Sequence, residues 1–189
     1  GASGDLIPLA HAALRVLGKI PSGCLGPRDG LALINGTEAS LGLSLLQFQD
    51  ARQLFNSSLA VCALVLFAFS GKAEAWEPAF VKLKKHEEMA DVALRLTGLL
   101  GSYGRRGIPQ DPYSLRAAPH LFGASLKLLR TAGSMLCAEA DSVTDNPAIM
   151  EKPLRAVHGA HFHGIQVAVA ADMLAWATLP NHRKDADKT

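Results

Sequence analysis

Apolar residues in this chain recur at helical rather than strand spacing. Across residues 87–100, Met89, Val92, Ala93, Leu96, Leu99 and Leu100 follow helical spacing, and Glu87 and Glu88 suit the positive first turn. Residues 6–17 predict a short helix, with Asp5 as its cap and Pro8 in the first turn, where a missing N–H does no harm. After a Gly/Pro loop over 18–26, Pro27 sits where a further helix begins. Residues 38–70 hold no proline and a single glycine, Gly42, and their apolar positions cover several faces. That pattern predicts a long helix buried in a bundle and ended by Gly71. Residues 71–85 read as a polar connection, and 101–110 as a Gly/Arg loop. Asp111-Pro112 is a helix start, with Asp as N-cap and Pro at the first position. The helix it opens is expected to run to about Ala140, bending at Pro119. Asp145-Asn146-Pro147 is a turn, and a last helix spans from near Gly164 to Pro180. No alternating strand pattern of useful length is present. The expected fold is all-α: a bundle of long antiparallel helices over residues 1–180, followed by a polar tail at 181–189 that frays.

Composition narrows the class of protein. The chain has 189 residues, 49% hydrophobic and 19% charged, which suits a well-buried domain rather than a disordered one. A formal net charge of +2, without a basic stripe, argues against nucleic acid. The longest apolar run, residues 59–69, is too short to span a bilayer and reads as a buried helix. Three cysteines with no C-x-x-C pair point to a reducing, cytoplasmic setting, and Cys62 and Cys137 read as buried, inert thiols.

Four constellations carry candidate chemistry. Gly1-Ala2-Ser3-Gly4-Asp5 places a serine between small residues just before a helix, without the strand and spacing of a nucleophile elbow. Asn35-Gly36 interrupts an apolar helical segment, either as a kink or to aim a polar side chain into a site. In Gln110-Asp111-Pro112-Tyr113-Ser114-Leu115-Arg116, Tyr113 and Arg116 are three apart and share a helix face. A guanidinium beside a helix start conflicts with the dipole, and a bound carboxylate would resolve the conflict. An ion pair with an acid elsewhere is the plainer alternative. His158, His161 and His163 form neither a helical i,i+4 pair nor a set with an obvious carboxylate ligand. A glycine-bounded loop presenting Phe162 is therefore favoured over a metal site.

Taken in order, GASGDLIPLAH (1–11), GLALINGT (30–37), QDPYSLR (110–116), SVTDNP (142–147) and HFHG (161–164) resemble the histidine, phenylalanine and tyrosine ammonia-lyases and related aminomutases. The resemblance runs almost end to end and implies the central portion of that helical fold. It implies that Ala2, Ser3 and Gly4 cyclise to 4-methylideneimidazole-5-one (MIO), an electrophile that no ordinary side chain supplies. It further implies that Asn35 hydrogen-bonds the ring and that Arg116 holds the substrate carboxylate. Gln110 and Tyr113 line the site, Phe162 packs near ring and substrate, and Asp5 supports cofactor formation. A homotetramer is implied as well.

QDPYSLR is closest to the bacterial histidine branch, so L-histidine to trans-urocanate is the expected reaction, with phenylalanine, tyrosine or an aminomutase reaction as the alternative. Members of the family are longer than this chain and normally supply a mobile tyrosine base from before the triplet. On that ground the 189 residues alone are expected to show little lyase activity. A competing reading is a non-catalytic remnant that acts as an assembly partner. Between Leu17 and Gly26 the chain is shorter than usual, His161 stands where the family has Asn, and Lys84-Lys85-His86-Glu87-Glu88 replaces a Pro/Gly/Gln-containing stretch.

Overall fold

The computed structural model describes residues 6–19, 21, 23–101 and 110–178. Eight helices, one 3-10 turn and one hairpin appear among them. In order these are α1 (Ile7–Leu17), α2 (Asp29–Ala32), α3 (Glu38–Ala68), the 3-10 turn Glu74–Trp76, α4 (Pro78–Lys82), α5 (Glu87–Leu100), α6 (Tyr113–Arg116), α7 (Ala118–Ala140), β1 (Ala148–Glu151), β2 (Leu154–Val157) and α8 (Ile165–Thr178). The chain forms two compact units. One comprises Gly1–Leu46 with Gly133–Ala171, and the other Gln47–Ala132 with Asp172–Thr189.

In the first unit, α1 begins as expected, with Pro8 at its start. The N-cap position is Leu6, which makes no side-chain cap bond; the expected cap Asp5 lies outside the described residues. Pro27 does not open a helix; α2 starts two residues later, at Asp29. The chain then turns through Asn35-Gly36-Thr37 into α3, and buried Thr37 donates its hydroxyl to Glu139 Oε1 at 3.0 Å. A carboxylate there faces the positive end of α3. Contrary to the sequence expectation, a hairpin is present. β1 and β2 pair antiparallel, with Ala148 opposite Val157 and Glu151 opposite Leu154. At four residues each and mostly exposed, the strands are too short to show an alternating pattern. The turn before them is tied down by side chains: Arg28 pairs with Asp145 and also donates to the Pro147 carbonyl. Asn146 Oδ1 accepts the Gly159 N–H at 2.8 Å.

The second unit is built on α3. Ala51, Phe55, Leu59, Ala63 and Leu66 bury one stripe of it, and the Phe122 ring meets Phe55 edge-on at 5.9 Å. From α5, Met89, Val92, Ala93 and Leu96 are buried as the spacing predicts, while Leu99 is exposed. The α5–α7 crossing is tight at Gly123, where a Cβ would come within 2.9 Å of the Met89 Cα. Leu54, Val61 and Leu64 form a second apolar stripe on α3 that is exposed. By length and composition alone α3 could cross a membrane. The run at residues 59–69 thus belongs to a longer apolar helix than it suggests alone, although core helices of soluble proteins pass the same test.

The end of α3 differs in detail from expectation. Ser70, not Gly71, takes the left-handed conformation (φ 52°). Gly71 N–H bonds the Leu66 carbonyl at 2.9 Å, and Ser70 N–H bonds that of Phe67 at 3.0 Å. This is the Schellman pattern. Gly71 is needed for space instead, because a Cβ there would lie 2.7 Å from Leu66 Cδ1. The expected polar connection over 71–85 is in fact the 3-10 turn and α4. It buries Trp76 completely, and the indole N–H donates to the Leu115 carbonyl at 2.6 Å. The expected single helix from Pro112 to Ala140 is two helices, interrupted at Ala117, with Pro119 in the first turn of α7. Asp111 does not cap α6: the N-cap is Pro112, and no side-chain cap bond forms.

Cys62 is half-buried, and desolvation pushes its thiol up to about 11, so it stays protonated and unreactive at neutral pH. Cys137, expected to be buried, is exposed on α7, because its position falls on the solvent side of the stripe set by Leu129, Ala132 and Leu136.

Asp91 on α5 joins Arg95 on the same helix, at 3.1 and 3.2 Å, to Arg130 on α7. Burial by itself pushes the Asp91 carboxyl up; the hydrogen bonds and charges of Arg95 and Arg130 together outweigh it and hold it below the ordinary carboxylate range. A depressed native pKa contributes stability that is present above the unfolded value and lost as pH falls through the native one. Asp91→Asn should therefore be less stable than the parent at neutral pH, with the gap closing below about pH 4. Urea midpoints measured across that range test this; a gap that persists unchanged in acid removes Asp91 from the account.

Candidate functional site

Two groups of expected site residues emerge, one in each unit. In the second unit, α6 is a single turn that puts Tyr113 and Arg116 on one side, and the guanidinium carbon lies 5.7 Å from the Tyr113 ring centroid. Arg116 Nε donates to the Asp111 carbonyl at 2.9 Å. With its amide oriented to match donors to acceptors, the Gln110 side-chain oxygen accepts from both terminal nitrogens of Arg116, at 3.0 and 2.7 Å. Of the five guanidinium N–H groups, Asp111 takes one and Gln110 two, which among the described residues leaves one on each terminal nitrogen.

These residues border a cleft of about 780 Å³, lined also by Lys72, Glu74, Phe80 and His120. A guanidinium held through three of its donors at the border of a cleft is a fixed positive charge, suited to a charge-assisted hydrogen bond to a carboxylate from a remaining N–H. Asp111 lies beneath, 6% exposed, its Oδ2 accepting the Lys72 N–H at 2.7 Å.

In the first unit, Asn35 is half-buried in the turn between α2 and α3, and its N–H bonds the Leu31 carbonyl at 3.0 Å. Next to it, Gly36 and Thr37 are buried and border a cavity of about 680 Å³ together with Pro8, Leu9 and Phe162. Phe162 is half-buried there, as the glycine-bounded loop predicts. His163 is engaged in structure: its Nδ1 accepts the Ile165 N–H at the start of α8, at 3.2 Å. Residues from the first turns of α1, α3 and α8 all border this cavity, so the positive ends of three helices lie beside it. Ala2, Ser3, Gly4 and Asp5 lie outside the described residues. Among the described residues, no group of three or more His, Cys, Asp or Glu side chains comes together as a metal would require.

Sequence reasoning assigned no supporting role to Asp111, Asp145, Asn146 or Trp76. Each acts through a partner distant in the chain; the presence of Asp and Asn within the matched motifs pointed to the first three, and nothing in the sequence pointed to Trp76.

Residues 19–180 match the aromatic amino acid lyase family. The chain belongs to that family. It is 38% identical over 203 residues to a histidine ammonia-lyase of Gloeobacter violaceus, covering 94% of this chain and 40% of the relative. A histidine ammonia-lyase of Vibrio cholerae is 36% identical with the same coverage of each. Among solved structures, the phenylalanine aminomutase of Pantoea agglomerans superposes with a TM-score of 0.77 at 29% identity, over 89% of this chain and 37% of that one. The histidine ammonia-lyase of Trypanosoma cruzi gives 0.74 at 30% identity, over 88% and 31%. The chain thus spans about 40% of the length of the curated relatives it matches.

Proposed function

We propose that this chain is the core of an ammonia-lyase that eliminates ammonia from an aromatic L-amino acid, with L-histidine as substrate and trans-urocanate as product. The observation that carries the reading is the Arg116 cluster: a guanidinium held by Gln110 and by the Asp111 carbonyl, beside Tyr113, at the border of a cleft. That arrangement suits the carboxylate every amino acid substrate carries. The leaning to histidine rests on the relatives, whose names include histidine ammonia-lyases at 36–38% identity.

The first unit supports an MIO group formed from Ala2-Ser3-Gly4. The triplet Ala2-Ser3-Gly4 immediately precedes α1, and the cavity at the starts of α1, α3 and α8 offers three positive helix ends to a ring that accumulates negative charge. Asn35 would hold the ring by a hydrogen bond, Phe162 would pack against it, and Asp5 would support its formation. When formed, the group supplies the electrophile that makes the substrate amine a better leaving group. The chain's own residues do the rest: Arg116 orients the carboxylate, Gln110 fixes Arg116, and Tyr113 presents a phenol beside the bound molecule.

Incubating the full-length protein with L-histidine, L-phenylalanine and L-tyrosine, and following the ultraviolet absorbance of each unsaturated acid, tests the reading. Urocanate is the expected product. Cinnamate or coumarate alone would move the substrate to the other branch, a β-amino acid would indicate an aminomutase, and no turnover of any of the three would sink the proposal.

The site is proposed to work in a homotetramer. α3 buries one stripe and leaves Leu54, Val61 and Leu64 exposed, at spacings that put them on one side of the helix. A second copy is the occupant that covers such a face symmetrically. Light scattering at micromolar concentration should report a mass several times that of the chain; a monodisperse monomer would contradict it.

A further inference from the structure

An anchoring guanidinium is useful only if it stays in place, and α6, which carries Arg116, is four residues long. A single turn does not hold itself in water, since its nucleus has too few hydrogen bonds to offset the ordering it requires. The position of Arg116 must therefore be imposed from outside the helix. Two grips are visible. Trp76 donates to the Leu115 carbonyl at one end of the turn, and at the other end Asp111 accepts the Lys72 N–H.

We propose that Asp111 is a positioning residue for Arg116, acting by fixing the backbone whose carbonyl holds the guanidinium. Its Oδ2 receives the Lys72 N–H at 2.7 Å, two residues after the left-handed Ser70 that closes α3. Its own carbonyl receives Arg116 Nε at 2.9 Å. One residue thus ties the end of α3 to the guanidinium. The carboxylate is seated closely: a Cβ on Gly71 would come within 3.2 Å of Oδ1. Oδ1 is buried and has no hydrogen-bond partner among the described residues. Leaving a buried carboxylate oxygen unpaired is unfavourable, and a space-filling apolar residue would avoid it. The residue is explained by what its other oxygen and its carbonyl do.

The inference rests on the lyase reading only for its consequence, the binding of a carboxylate; the geometry of Arg116 is measured separately. In a proton–nitrogen correlation spectrum of the intact chain, Arg116 Nε–H, identified by its loss in Arg116→Lys, is expected as a resolved signal that exchanges slowly. Asp111→Ala should merge it with the free arginine signals, while the Trp76 indole signal remains and reports an intact fold. Asp111→Asn keeps an oxygen for the Lys72 N–H and should retain the signal. Should Asp111→Ala give no folded chain, Asp111→Ser, whose side chain falls short of Lys72, makes the same distinction. An unchanged Arg116 signal in Asp111→Ala or Asp111→Ser overturns the proposal, and so does its loss in Asp111→Asn with the indole signal intact.

Calorimetric titration with imidazolepropionate reads the consequence. Binding should weaken at least about tenfold in Asp111→Ala and stay within about threefold in Asp111→Asn, on the scale where tenfold is one step of affinity. An Arg116→Ala chain that binds this probe as tightly as the parent would defeat the carboxylate role of Arg116, and would leave the spectroscopic result to decide the role of Asp111.

Discussion

Exchanging Arg116 for alanine in the full-length protein is expected to lower kcat/KM by between about thirtyfold and several thousandfold. The range follows from removing one partner of a hydrogen-bonded charge pair in a sheltered site, which costs about 2–5 kcal/mol, at tenfold for each 1.4 kcal/mol. Arg116→Lys separates charge from geometry. Lysine keeps the positive charge, but it cannot reproduce the three locked donors that reach the Asp111 carbonyl and the Gln110 oxygen. It would be a mobile point charge above the Tyr113 ring, and KM should rise by about tenfold or more. Steady-state kinetics on the two variants checks this. A lysine variant with an unchanged KM would take Arg116 out of the carboxylate role, and Lys72, which lines the same cleft, would be the next cation to examine.

Ser3→Ala should have an effect at least as large. Closing Ala2-Ser3-Gly4 into MIO removes two waters, one of them carrying the serine hydroxyl, so alanine at this position cannot complete the ring. Intact mass gives a direct reading: the full-length parent should be lighter than its sequence by two waters, and the variant should not. A single preorganised donor at a developing charge is worth about a hundred- to a thousandfold. An electrophile that takes part directly should be worth no less, so a fall in kcat of about a thousandfold or more is expected. A parent at its unmodified mass that turns over histidine at full rate would remove MIO from the account.

The parts of this structure that were legible in the sequence are those whose causes are local. α5 has the bounds its pattern predicts, because one apolar stripe, Met89 to Leu96, faces one core. The Tyr113–Arg116 pairing was legible for a similar reason, since three residues of helix put both on one side. Elements whose causes are distant were not. Residues 71–85 look polar, yet Trp76 is drawn into the interior by a carbonyl on Leu115. Asp111 has every local mark of a helix cap, but a backbone N–H on Lys72 claims its carboxylate instead. The hairpin at β1 and β2 follows a turn tied by Arg28 to Asp145, residues far apart in the chain. For the candidate site, the matched motifs named the residues, and the structure adds how Arg116 is braced: by Gln110, by the Asp111 carbonyl and by the closing turn of α3.

The exposed stripe on α3 has a thermodynamic consequence. Where Leu54, Val61 and Leu64 are covered by another copy, that association is coupled to the folded state and absent from the unfolded one. By mass action such a protein has no single melting temperature: its Tm climbs with concentration, because each copy acts as a stabilising ligand for the next. Dilution then becomes a denaturant. A chain that assembles in this way is a less stable molecule at nanomolar than at micromolar concentration, though no residue and no buffer component has changed.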